Sequence, residues 1–179
     1  MNFKRYFEEK FAFDYKPLPK GSSWKNVGDN SWVLSFAYDK LNKTVGPVKS
    51  SEFDTYTIFI DKIADPFEGF NALNDFAKKY PNLVKPEPYN WIVFDSSQHG
   101  SNIASTEESP RAAKLILETI ISALMLKISQ KENIAFDAKY SEMSRVRLYR
   151  RLAHEIAKLH HKKVDEQTFF NKSVYFLIH

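Results

Sequence analysis

The chain has 179 residues, 43% of them apolar and 15% aromatic, which suits one globular domain with a sizeable core and excludes a disordered chain. It contains no cysteine, so disulfides and thiolate zinc sites are excluded and a reducing, cytoplasmic setting is expected. The net charge of +4 is uneven: from Lys139 to Lys163 eight Lys and Arg stand against Glu142 and Glu155 alone, leaving the remainder slightly acidic.

The first residues, MNFKRYFEEKFAFDYK, interleave charges with aromatics and lack the apolar stretch of a signal peptide. Phe3, Tyr6, Phe7 and Phe11 fall on one side of a short helix over residues 3–12. KPLPKGSSWKNVGDN reads as loop from its Pro, Gly, Ser and Asn content. SWVLSFAYD alternates as a strand, LNKTVGPVKSSEF reads as a connection, and TYTIFID is a second, β-branched and aromatic strand. Asp65-Pro66 then opens a helix through residue 80, with Phe67, Phe70, Leu73, Phe76 and Ala77 as its stripe.

YNWIVFD is the next strand, followed by the polar loop SSQHGSN. Ser109-Pro110 starts a helix that is apolar almost all round, with Arg111, Lys114, Glu118 and Ser122 as a narrow wet edge. NIAFD is a short buried strand. The segment YSEMSRVRLYRRLAHEIAKLHH is strongly amphipathic, with Val146, Tyr149, Leu152, Ile156 and Leu159 inside and Arg147, Arg151, His154, Lys158 and His161 outside. SVYFLIH closes the chain as a strand. The order (α)ββαβαβαβ predicts an α/β (α+β) fold: a single domain, 1–179, with a mixed sheet flanked by helices. Within it, 1–30 is the N-terminal helix and loop, 31–88 holds the first strands and an inserted helix, and 89–179 is a β-α-β-α-β half. The longest apolar run, ETIISALMLKI, is too short to span a bilayer.

Three strands end in an aspartate: TIFID, WIVFD and IAFD. An α/β sheet often builds its site at such strand ends, and an aspartate also simply solvates a strand exit. His99 follows a buried strand, four residues after Asp95, and is a catalytic candidate. His99-Gly100-Ser101 matches one half of the His-x-Ser/Thr pair of two-histidine phosphoesterases, but no other histidine supplies the second half. Asp137-Ala138-Lys139 has the Asp-x-Lys form of restriction-type nucleases, with Asp95 as partner acid; a metal-dependent nuclease is therefore a third alternative.

From Tyr89 onward, the series of strand, glycine-containing loop, buried helix, IAFDA and SRVRLYRRLA resembles the C-terminal half of the GNAT (Gcn5-related) N-acyltransferase fold, as in small phage-encoded proteins of GNAT-like architecture. The resemblance implies an acetyl-CoA-dependent N-acyltransferase, or a diverged shell without activity, in a host cytoplasm if phage-encoded. It implies that Gln98, His99, Gly100, Ser101 and Asn102 hold the CoA pyrophosphate with the help of the next helix N-terminus. It gives Tyr149 the role of protonating the departing thiolate, and it seats CoA in a gap between the strand of Trp91 and the strand of Phe136. The alternative is a non-enzymatic binding protein whose basic helix face (147–163), with Arg147, Arg150, Arg151, His154 and Lys158, grips nucleic acid or an acidic protein partner.

Overall fold

The computed structural model describes residues 17–48, 54–63, 89–97, 110–168 and 173–179, so the expected helices over 3–12 and 65–80 lie outside the described residues. The strands are β1 (Lys25–Gly28), β2 (Ser31–Asp39), β3 (Thr44–Gly46), β4 (Asp54–Ile63), β5 (Tyr89–Ser96), β6 (Asn133–Lys139), β7 (Val164–Thr168) and β8 (Ser173–Ile178). Two helices accompany them, α1 (Pro110–Lys127) between β5 and β6, and α2 (Met143–His160) between β6 and β7. The strands form one mixed sheet in the order β1-β2-β4-β5-β6-β8-β7, with β3 attached to β2. Among the described strands β5 and β6 are the parallel pair; the other ladders are antiparallel. This is the α+β architecture expected from the sequence.

Alternation decides which face is greasy. Leu34, Phe36 and Tyr38 of β2 align with Ile58, Tyr56 and Asp54 of β4, and Ile58 and Ile60 align in turn with Phe94 and Ile92 of β5. Beyond the parallel pair, Ile134, Phe136 and Ala138 of β6 face Ile178, Phe176 and Val174 of β8. These side chains share one core cluster with Ile116, Ile120, Ile121 and Leu124 of α1 and Val146, Tyr149, Leu152 and Ile156 of α2. Both helices therefore pack on the same face. The opposite face is mixed: Ser35 and Thr57 share a hydroxyl hydrogen bond of 3.0 Å, and the cross-strand pair Phe59 and Val93 remains exposed.

α1 is more enclosed than its pattern suggests. Glu118 and Ser122, assigned to a wet edge, are each only 4% exposed, while Arg111 stays exposed. Glu118 tolerates burial because Lys114, one turn earlier, ion-pairs with it at 3.4 Å. At the other end Lys127 stands 4.2 Å over the ring of Trp32, a residue paired with Ile60. The helix thus runs antiparallel to β5, returning the chain to the end where β6 begins. No described helix is long and apolar enough to cross a membrane.

Three strands escape sequence reasoning. β1 is exposed along its length, and β7 reads VDEQT, so neither shows an apolar period; β2 and β8 recruit them as edges through backbone pairing. β3 is three residues long and follows a turn nucleated by Asp39, whose carboxylate accepts from the Leu41 and Asn42 N–H groups at 2.9 Å. Hydrogen bonds from the Asn42 backbone and side chain, the foremost cause, hold the Asp39 carboxyl below its usual range.

α2 ends where His161 takes a left-handed conformation and the Lys162 N–H donates to the Ala157 carbonyl at 2.8 Å. The preceding His160 is 4% exposed, with Nε2 3.0 Å from Met125 Sδ of α1 and Nδ1 lacking a partner among the described residues. Burial, then the nearby Lys162 charge, holds its pKa below the ordinary 6.5. A histidine kept neutral by folding contributes stability in full above its unfolded pKa and loses it as pH falls below that value. Urea midpoints measured from pH 8 to pH 5 should fall as pH drops through about 6.5. His160→Gln should flatten that part of the curve; an unchanged slope would show that His160 does not carry it.

Candidate functional site

The two parallel strands are joined at one end only. Tyr89, Asn90 and Trp91 pair with Asn133, Ile134 and Ala135, and the ladder stops there although β5 continues to Ser96 and β6 to Lys139. Beyond that point each strand stays with its other neighbour: β5 pairs β4 as far as Ser96, and β6 pairs β8 as far as Lys139. A main-chain group in the interior needs a hydrogen-bond partner, and over this stretch the facing edges do not supply one to each other.

Side chains lock the closed end. Asn90 Nδ2 donates to the Asn133 carbonyl at 3.1 Å, and Lys162 Nζ donates to Asn133 Oδ1 at 3.0 Å. Lys62 on β4 meets Glu132, just before β6, at 2.8 Å. Burial works to raise the Glu132 carboxyl, but the Lys62 bond and charge, with the Ser129 N–H, bring it below its usual range.

The open half is wedged by an aromatic trio. Phe94 of β5, Phe136 of β6 and Tyr149 of α2 meet edge to face, with centroids 5.4 Å apart for Phe94–Tyr149, 5.6 Å for Phe136–Tyr149 and 6.1 Å for Phe94–Phe136. Tyr149 comes from the apolar stripe of α2, which is why it is drawn inward, and it touches both strands where they have ceased to pair. It is 2% exposed, and its hydroxyl makes no hydrogen bond of good geometry among the described residues. Burial pushes the phenol up to about 12, against the pull of the neighbouring Arg145 guanidinium.

Arg145 lies one turn before Tyr149, with its guanidinium 5.1 Å over the phenol ring and Nη1 2.8 Å from Glu142 Oε2. On β6, burial raises the Asp137 carboxyl, while Arg145 and the residue's own N–H draw it down. On the helix-covered face the group comprises a phenol that stays protonated and a cation beside it. Asp137, next to inward-facing Phe136 in an alternating strand, belongs to the opposite face and acts on them through its charge alone. Such a pair can donate a proton to a leaving group.

The sequence-predicted residues are distributed as follows. Gln98, His99, Gly100, Ser101 and Asn102 lie outside the described residues. Of the three strand-end aspartates, Asp95 and Asp137 belong to the open half of β5 and β6, but Asp61 faces Trp91 at the closed end because β4 runs the other way. Arg147, His154 and Lys158 are exposed on α2, and Arg151 is half-buried. Arg150 instead makes two hydrogen bonds to Glu166 of β7, which are the first cause holding its pKa up. Sequence reasoning missed Arg145 and Glu142 as companions of Tyr149, although their i, i+3 and i, i+4 spacing places all three on one helix face. Among the described residues no three His, Asp or Glu gather as a metal ion would require.

Comparisons with protein-family models, with curated proteins and with solved structures return no match to this chain.

An unpartnered buried hydroxyl adds little to stability, so Tyr149→Phe should keep both ring contacts and fold as well as the wild type. Urea unfolding should place the two within about 1 kcal/mol. A loss of several kcal/mol would mean that the hydroxyl has a structural partner.

Proposed function

We propose that this chain is an N-acyltransferase-like protein that receives acetyl-CoA between the diverging halves of β5 and β6. The observation that carries this reading is the short β5–β6 ladder with Tyr149 wedged at the point of divergence. Two features fit an acyl-CoA: strand edges not paired with each other suit an extended arm bearing amides, and a buried hydroxyl without a well-formed hydrogen bond among the described residues suits its sulfur. α1 has its C-terminal end at Trp32, level with the closed end of the ladder, so its positive N-terminus lies toward the other end of the sheet.

Acetyl-CoA supplies an acetyl group activated as a thioester. The chain's residues handle protons around it. Tyr149 gives its phenolic proton to the sulfur as the carbon–sulfur bond breaks. The proton released by the attacking amine goes to solvent. The aromatic trio keeps bulk water from the phenol.

Millimolar acetyl-CoA should raise the melting temperature, by several degrees if the ligand exceeds its Kd about a hundredfold. Tyr149→Phe should keep that shift but lose on the order of 10²-fold or more in turnover of an amine acceptor. No shift with wild-type protein would reject the reading.

A second reading rests on a different observation, the exposure of Arg147, His154 and Lys158 along the outer face of α2 in the most basic segment of the chain. That face suits phosphate backbone, with the affinity falling as salt rises. Under it, retention on heparin or duplex DNA should weaken in Arg147→Ala with Arg151→Ala, which should elute at lower salt. Elution at wild-type salt would remove this face from consideration.

A further inference from the structure

We propose that Arg145 is a positioning residue of this site: Glu142 holds its guanidinium against Tyr149, where it compensates the phenolate formed when Tyr149 gives up its proton. The inference rests on the acyl-transfer reading and extends it from the proton donor to the group that lets the donor act.

The difficulty it resolves is electrostatic. A phenol that is 2% exposed is a poor place for a negative charge, because desolvation disfavours the ionised form. In the transfer step the amine lone pair forms the new nitrogen–carbon bond, and the carbon–sulfur electron pair leaves with sulfur. Sulfur takes the Tyr149 proton, the amine releases one to solvent, and the phenolate is reprotonated from solvent afterwards. Between those events a negative oxygen stands in the core. A cation already in place needs no rearrangement when that charge develops, which is the condition for electrostatic stabilisation to be large.

Arg145 meets that condition geometrically. A helical side chain leans toward the N-terminus of its helix, so Tyr149 reaches back over the turn that carries Arg145. The guanidinium carbon is 5.1 Å from the ring centroid, and Arg145 itself is only 8% exposed. Its bond to Glu142, at 2.8 Å, fixes one edge of the guanidinium from the entry of α2. Asp137 and Glu142 oppose phenolate formation, and Arg145 is the group that favours it. A guanidinium stays charged at any working pH, so the compensation does not fade as Tyr149 cycles.

The test compares wild type, Arg145→Met and Arg145→Lys in protein carrying 3-fluorotyrosine, whose more acidic phenol brings the titration into reach. The fluorine resonance of residue 149 is identified by its disappearance in Tyr149→Phe. In Arg145→Met that resonance should titrate at higher pH than in wild type. Turnover with acetyl-CoA and an amine should fall by about 10²-fold in kcat, with KM for acetyl-CoA unchanged and part of the rate restored in Arg145→Lys. A residue that merely braces α2 would leave the titration of residue 149 where it was, and that result overturns the proposal. So does a Met variant with wild-type kcat. Wild-type protein that neither binds nor turns over acetyl-CoA instead brings down the acyl-transfer reading, and this inference with it. If Arg145→Met fails to fold, Arg145→Gln decides by the same readouts: it keeps a polar side chain without the charge, so wild-type kcat and titration there would also refute the role.

Discussion

Two neighbouring parallel strands that pair for three residues and then part impose a demand on everything around them. Each must be held by its outer neighbour, and something must fill the space where the ladder stops. Here β4 and β8 hold the outer edges along the full length of the open half. The filling is aromatic: Tyr149 enters from α2 and meets one phenylalanine from each strand. Rings are suited to this because they bring large apolar area and favour edge-to-face contact at these centroid separations. The closed end is tied by amides and ion pairs instead, through Asn90, Asn133, Lys62 and Glu132.

The divergence also sets the electrostatics. α2 begins four residues after β6 ends, so its first turns set guanidinium and phenol against the open half of β6, with the Asp137 carboxyl on the strand's other face. The basic segment consequently has two kinds of residue. Arg145, Arg150 and Lys162 are committed to partners on the fold, namely Glu142, Glu166 and Asn133. Arg147, His154 and Lys158 face outward. The dense basic segment is therefore less of an open patch than its count suggests, and its inward members shape the candidate site.

Much of the fold was legible because burial leaves a period in the sequence. SWVLSFAYD, TYTIFID and WIVFD alternate as half-buried strands must, and the stripe from Val146 to Leu159 repeats as a packed helix must. The inward position of Tyr149 was legible for the same reason. β1, β3 and β7 were not, because each is an edge recruited by backbone pairing with a strand adjacent along the chain, and pairing leaves no mark on side-chain polarity. The burial of Glu118 was equally hidden, since a carboxylate looks solvent-bound until tertiary packing encloses it beside Lys114.

The sequence by itself determined the fold class, the order of most elements and the inward face of α2, because hydrophobic periodicity is a local record of burial. Only the tertiary structure decided that β5 and β6 adjoin in parallel, that their ladder ends at Trp91 and Ala135, and that Asp61 sits at the other end from Asp95 and Asp137. Strand adjacency and register arise from hydrogen bonds between segments 40 or so residues apart, and such bonds are made by backbone atoms common to every residue type.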